Sequence, residues 1–231
     1  ILFISCFMGL ILSGEIAAII LFLFSNLIFL FLIFFSNIKK LLYIIFGFIL
    51  IILILFNYVL TDKFRDRYLT STFDDIKSFD NFIDSHYGAH YITAYNIFLD
   101  YPFLGVGQNN YRNLCSDKKY SSLNSLRIKD RCSTHPHNYY IQILSDLGIL
   151  NFFIFVFLIC TFFLKIFIHK KETHKIIFYG KLITLIVIFW PLLPTGSFYN
   201  NWLSVVNWLI ISLSICKIDK NYSDKLLSFL K

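Results

Sequence analysis

Long apolar runs separated by brief polar interruptions dominate this chain. Residues 16–36, 38–60, 149–168 and 176–193 are nearly free of charge. Each approaches the ~20 apolar residues that a helix needs to cross a bilayer. A fifth run at 202–216 is somewhat shorter, and residues 1–12 read as the tail of another span. The pattern predicts an all-α polytopic membrane protein with about six transmembrane helices. Residues 1–60 form the first membrane block, with its first helix partial, and 141–216 form the second. Between them lies one large loop, 61–140, and a tail follows at 217–231. Residue 1 lies inside an apolar run, with neither the basic segment nor the small-residue cleavage site of a signal peptide. The chain therefore reads as the C-terminal part of a longer polytopic protein.

Composition strengthens this reading. Of 231 residues, 57% are hydrophobic and 28 are Phe, with a mean hydropathy of +0.67. A soluble domain is nearer half apolar. Charge then orients the spans. The 61–140 loop carries ten Lys/Arg against nine Asp/Glu, leaving eleven basic and five acidic residues for the rest. Those eleven fall at Lys39–Lys40, between Lys165 and Lys181, and in the tail. Alternating spans place all three groups on one side, which the positive-inside rule makes cytoplasmic. The large loop, the turn at 13–15 and the "LPTGSFYNN" turn then share the outer face. The net charge of +7 is thus topological, and no basic soluble face invites a nucleic acid.

A loop of some 80 residues exceeds a passive connection. Within it, "HYGAHYITAYNIFLDYP" repeats apolar positions at helical spacing and predicts a helix lying on the membrane surface. Pro102 restricts Tyr101, so that helix should stop there. Gly105 and Gly107 in "GVGQNNY" permit a tight turn. The polar stretch 116–130 reads as mobile. At "STHPHN", His135 is the expected helix N-cap and Pro136 the first helical residue. The helix would run to about Leu147, with Asn138, Gln142, Ser145 and Asp146 forming a polar face at the outer rim. Gly148 permits a bend before the next span. His86, His169 and His174 read as solvated loop residues.

Cys6, Cys160 and Cys216 lie in apolar runs, where Cys behaves as a small hydrophobe. Cys115 and Cys132 both fall in the outer loop, where an oxidising compartment favours a bridge between them. Such a bridge is worth ~3 kcal/mol in the chain-entropy model. A zinc site from Cys115, Cys132, His135 and His137 is the rival reading, but its spacing is poor and it lacks a C-x-x-C pair.

Three stretches, "YNIFLDYPFLGVGQNNYRNLC", "HPHNYYIQILSDLGIL" and "PLLPTGSFYNNW", resemble the bacterial O-antigen ligase and O-antigen polymerase family. The resemblance runs from about residue 13 to 208. It implies an inverting glycosyltransferase of the bacterial inner membrane, multi-pass, acting on the periplasmic face without metal or other cofactor. The implied donor is a glycan on undecaprenyl pyrophosphate. The acceptor is lipid A–core for a ligase, or another lipid-linked glycan for a polymerase. The family's functional histidine falls on His137, which would act as general base on a sugar hydroxyl. As a first-turn residue, His137 would stand beside helix N–H groups suited to a pyrophosphate leaving group. His90, Arg112, Asn138 and Glu15 are the expected substrate-binding residues. Two positions that carry arginine in the family hold Ile16 and His90 here, leaving Arg65, Arg67, Arg112, Arg127 and Arg131 as alternative cations. A transporter is the other class considered, but the spans lack the midplane charges that transport favours.

Overall fold

The computed structural model describes residues 2–13, 15–34, 77–121 and 131–218, with isolated positions 39, 40, 42, 43, 46, 47, 49, 221 and 225. Among them all regular structure is helical. Apart from those isolated positions, the expected span at 38–60 lies outside the described residues. So do Arg65, Arg67, Arg127 and most of the polar stretch 116–130. Two helices are long and apolar enough to cross a membrane, at Ala17–Phe34 and Tyr139–Ile168. The expected spans at 176–193 and 202–216 correspond to the shorter helices Lys175–Ile188 and Asn201–Ile215.

Two compact units divide the chain. The first holds residues 1–68, 162–189 and 210–231. Here α1 (Leu2–Ser13) and α2 (Ile16–Phe34) meet at a polar turn. The Ser13 hydroxyl accepts from the Glu15 amide at 3.4 Å, and the Glu15 carbonyl accepts from Ile19 at 3.1 Å. Exposed Glu15 therefore opens α2, where an acid suits the helix dipole. α2 also packs against a later helix, Lys175–Ile188, where Gly180 lies beneath Phe29.

The second unit holds 69–161 and 190–209. α3 (Phe79–Ile83) is capped by Ser78, whose hydroxyl accepts from the Asn81 amide. α4 (His86–Asp100) begins on Ser85, whose hydroxyl accepts from Gly88 N–H at 3.0 Å. α4 ends at Tyr101, as the proline after it requires. Its buried face carries Ala94 and Ile97, packed with Tyr111, Cys115 and Tyr120 from α5 (Tyr111–Leu114) and the 3₁₀ turn Lys118–Ser121. Cys115 and Cys132 are joined as a disulfide.

α6 spans Tyr139–Ile168 and contains one non-helical residue, Gly148, at φ 75° and ψ −179°. The ladder is interrupted there because the 102–107 loop splices into it. Ile149 donates to Pro102 O at 2.8 Å. The Ser145 and Asp146 carbonyls accept from Val106 and Gly107 at 3.1 and 2.7 Å. Gly105 and Gly107 adopt φ of 67° and 95°. A methyl on Gly105 would collide with the Asp146–Leu147 backbone, and one on Gly148 with Phe103 and Gly105. Beyond this junction Leu150, Phe153, Ile154 and Phe157 form an exposed apolar stripe, suited to lipid.

α6 starts three residues later than Pro136, which corrects the expected capping. His135 does not cap it. Asn138 does, its carboxamide oxygen accepting from Tyr140 N–H at 3.0 Å and Ile141 N–H at 3.3 Å. The polar face of this segment is also buried rather than open to water. Asn138 Nδ2 donates to Pro191 O at 2.8 Å, and Gln142 exchanges hydrogen bonds with Ser197 and Phe198. Asp146 accepts from the Asn109 and Tyr111 amides at 3.2 and 3.1 Å. These residues bolt two loops to the start of α6. α7 (Lys175–Ile188) begins on His174, whose ring nitrogen accepts from Ile176 N–H, and α8 (Asn201–Ile215) follows the 190–200 loop.

Candidate functional site: a histidine cluster beside the α6 N-terminus

His137 lies just before α6 with φ 56°, in the left-handed region. Such a conformation costs a non-glycine residue about 1–3 kcal/mol unless its surroundings fix it. Here they do. The His137 carbonyl accepts from Thr195 N–H at 2.7 Å, and the Tyr91 hydroxyl lies 3.5 Å from the same oxygen. The 190–200 loop thus clamps the backbone on one side while α4 faces it on the other. The ring contacts Ser133, with Nε2 3.2 Å from the hydroxyl.

Three further histidines surround this ring. Ring centroids lie 4.3 Å from His135, 5.2 Å from His90 and 6.3 Å from His86, with Tyr87 at 5.7 Å. Burial pushes His137 down to about 4, and positive charge on His135, His90 or His86 would push the same way. Burial also lowers His135, offset in part by a hydrogen bond to Thr195. His137 is therefore neutral at ordinary pH, with Nε2 facing the Ser133 hydroxyl.

His90 is fully buried at 0% exposure. Its Nδ1 lies 3.1 Å from the Arg131 carbonyl and 3.2 Å from the Tyr111 hydroxyl. A carbonyl only accepts, and Tyr111 itself donates to it at 2.7 Å. The proton of neutral His90 thus belongs on Nδ1, leaving the lone pair on Nε2. That atom stands 3.3 Å from Nε2 of His86. Arg131 is held by its own guanidinium, with Nε donating to Cys115 O at 2.7 Å and Nη2 to Ser116 O at 3.1 Å. Burial raises the Tyr111 phenol far above its ordinary value and Tyr91 to about 12, so both stay protonated.

The expected site residues fall into distinct places. His137, His135 and His90 come together. Asn138, expected at the substrate, is 6% exposed and commits both ends of its amide to structure. It also occupies two of the helix N–H groups expected to receive a phosphate. Arg131 is turned onto the 115–117 carbonyls rather than left for an anion. Arg112 is exposed on α5, and Glu15 belongs to the first unit. Pro136 is buried ahead of the helix instead of opening it. His86 was expected in a solvated loop but is the first residue of α4 and joins the cluster. Its i, i+4 spacing to His90 was the signal available in the sequence.

Residues 1–156 match the sequence model of the O-antigen ligase family. The match covers most of the chain and includes all four clustered histidines. No curated protein and no solved structure matches. The chain belongs to the O-antigen ligase family, a membrane-integral family of glycosyltransferase-like ligases and polymerases.

Proposed function

We propose that this member of the O-antigen ligase family transfers a glycan from undecaprenyl pyrophosphate to lipid A–core, on the periplasmic side of the inner membrane, with His137 as general base. The observation that carries the reading is the His137 ring itself. It is neutral, braced through its backbone by Thr195, and within a matched family segment.

In the proposed step the acceptor hydroxyl oxygen attacks the anomeric carbon of the donor. Its proton passes to the His137 lone pair, and the bond from that carbon to the pyrophosphate oxygen breaks. The pyrophosphate leaves with the bonding electrons, and a single displacement inverts the configuration. A ring that is neutral when the site is empty starts in the accepting form. Its low basicity rises when an anionic pyrophosphate arrives, because nearby negative charge favours the imidazolium. Proton affinity thus increases with the donor in place, which suits a general base. Exposed Arg112 is the cation on the same unit that would meet the donor's pyrophosphate, and buried, neutral His90 would position the cluster beside the base.

Complementation of ligase-null and polymerase-null strains with the full-length gene tests the reading. Attachment of existing chains to lipid A–core is expected. Lengthening of chains without attachment would assign the polymerase reaction instead, and neither outcome would remove both.

A further inference from the structure

The geometry points to a three-imidazole binding site for a late first-row divalent ion, zinc above all, formed by His86, His90 and His137. Their ligand nitrogens lie within 4.8 Å of one another. His86 and His90 are four residues apart on α4, which sets both rings on one helix face. Their Nε2 atoms are 3.3 Å apart. A tetrahedral zinc with bonds of about 2.0–2.1 Å has ligand nitrogens separated by about 3.3 Å. That pair is already spaced for one ion, and the third needs a displacement on the order of 1 Å given the same bond length.

The surrounding hydrogen bonds favour metal binding. A ligating histidine ordinarily donates its other ring N–H to a carbonyl or carboxylate, which fixes the tautomer. His90 does this toward Arg131 O, leaving Nε2 to face His86. The accepting carbonyl is held by the Arg131 guanidinium on the 115–116 backbone and by the neighbouring Cys115–Cys132 bridge. His86 is exposed while His90 is buried, so the cluster has a rigid inner ligand and an outer one reachable from solvent. Three imidazole nitrogens with no carboxylate among them favour zinc, copper, nickel or cobalt over magnesium or calcium.

Occupancy has a consequence that rests on the reading of His137 as base. A neutral imidazole has one lone pair, so His137 cannot bind the ion and accept the acceptor's proton at once. Metal binding therefore holds transfer off.

Cobalt titration of the purified full-length protein in detergent tests the site, read by the visible ligand-field absorption of tetrahedral cobalt. One cobalt per chain, displaced by zinc, is expected. His86→Ala and His137→Ala should each weaken binding about tenfold or more, in the range known for perturbed metal sites. His169→Ala, in the other unit, should not. Exposed His86 can be replaced without opening the core, so a folding defect does not confuse the result. Absence of stoichiometric cobalt, or equal binding by wild type and both cluster variants, overturns the site and leaves the base assignment untouched. Zinc should also inhibit transfer by the wild type, with the inhibition constant raised by the same factor in His86→Ala. Stoichiometric zinc without inhibition would keep the site but overturn the proposed consequence and the base role together.

Discussion

At the scale of single residues, the second unit is held by polar groups whose partners lie far away in sequence. Asp100 is the clearest case. A carboxylate in the last turn of a helix opposes the dipole, and α4 ends on this one. Lys119 lies 2.7 Å from Oδ1, and the Tyr120 hydroxyl donates to Oδ2 at 2.6 Å. The hydrogen bonds from Lys119 and Tyr120 hold the Asp100 carboxyl below the usual carboxylate range. A depressed folded-state value means stability present above the unfolded value and lost as pH falls through the folded one. Asp100→Asn should therefore lower the thermal midpoint near neutral pH and flatten its fall under acid. Because Lys119 is exposed, the loss should be modest. Thermal unfolding of both proteins across an acid series in detergent measures it. The residue scale also shows what sequence withholds. The sequence points to His135 as the cap in "HPHN", and the left-handed turn at His137 moves the cap to Asn138. Nothing local dictates that turn. The Thr195 amide, 58 positions away, helps fix it.

At the scale of elements, the junction between the 102–107 loop and α6 determines how the site is framed. The loop replaces part of the helix ladder, with Ile149 bonded to Pro102 and Val106 to Ser145. Gly105 and Gly148 both have positive φ and meet backbone where a side chain would stand. Gly148→Ala must therefore move one of the two strands of backbone. The left-handed conformation alone costs about 1–3 kcal/mol, and the overlap adds to it. Lower thermal stability and faster proteolysis of the 102–107 loop are expected. A variant as stable as wild type would mean that the splice does not contribute to the fold. The glycines, the end of α4 before Pro102 and the bend at Gly148 were all legible, because each follows from one residue's backbone chemistry. The polar face of 138–146 was legible as a pattern but misread as solvated. Its partners at 109–111 and 191–198 lie outside any local window.

At the scale of the whole molecule, long uncharged runs give the helical membrane character directly, and two described helices meet the length for a span. The expected spans at 176–193 and 202–216 are the shorter helices Lys175–Ile188 and Asn201–Ile215, and most of the one at 38–60 lies outside the described residues. The motifs at 95–115 and 135–150 pointed to the family that residues 1–156 match. The histidine cluster was only half legible. His135 and His137 stood in a motif, whereas His86 looked like a loop residue until α4 brought it beside His90. Spatial proximity of four imidazoles follows from packing α4 against the entrance of α6, with the disulfide and Arg131 holding the segment between. Of the four, His137 is the proposed base. Transfer of glycan to lipid A–core should be measured in a ligase-null strain carrying the full-length protein or its His137→Ala variant, with membrane insertion quantified in both. Normal insertion of the variant and loss of long-chain polysaccharide on lipid A–core are expected. Wild-type levels of that product from an inserted His137→Ala protein would contradict it.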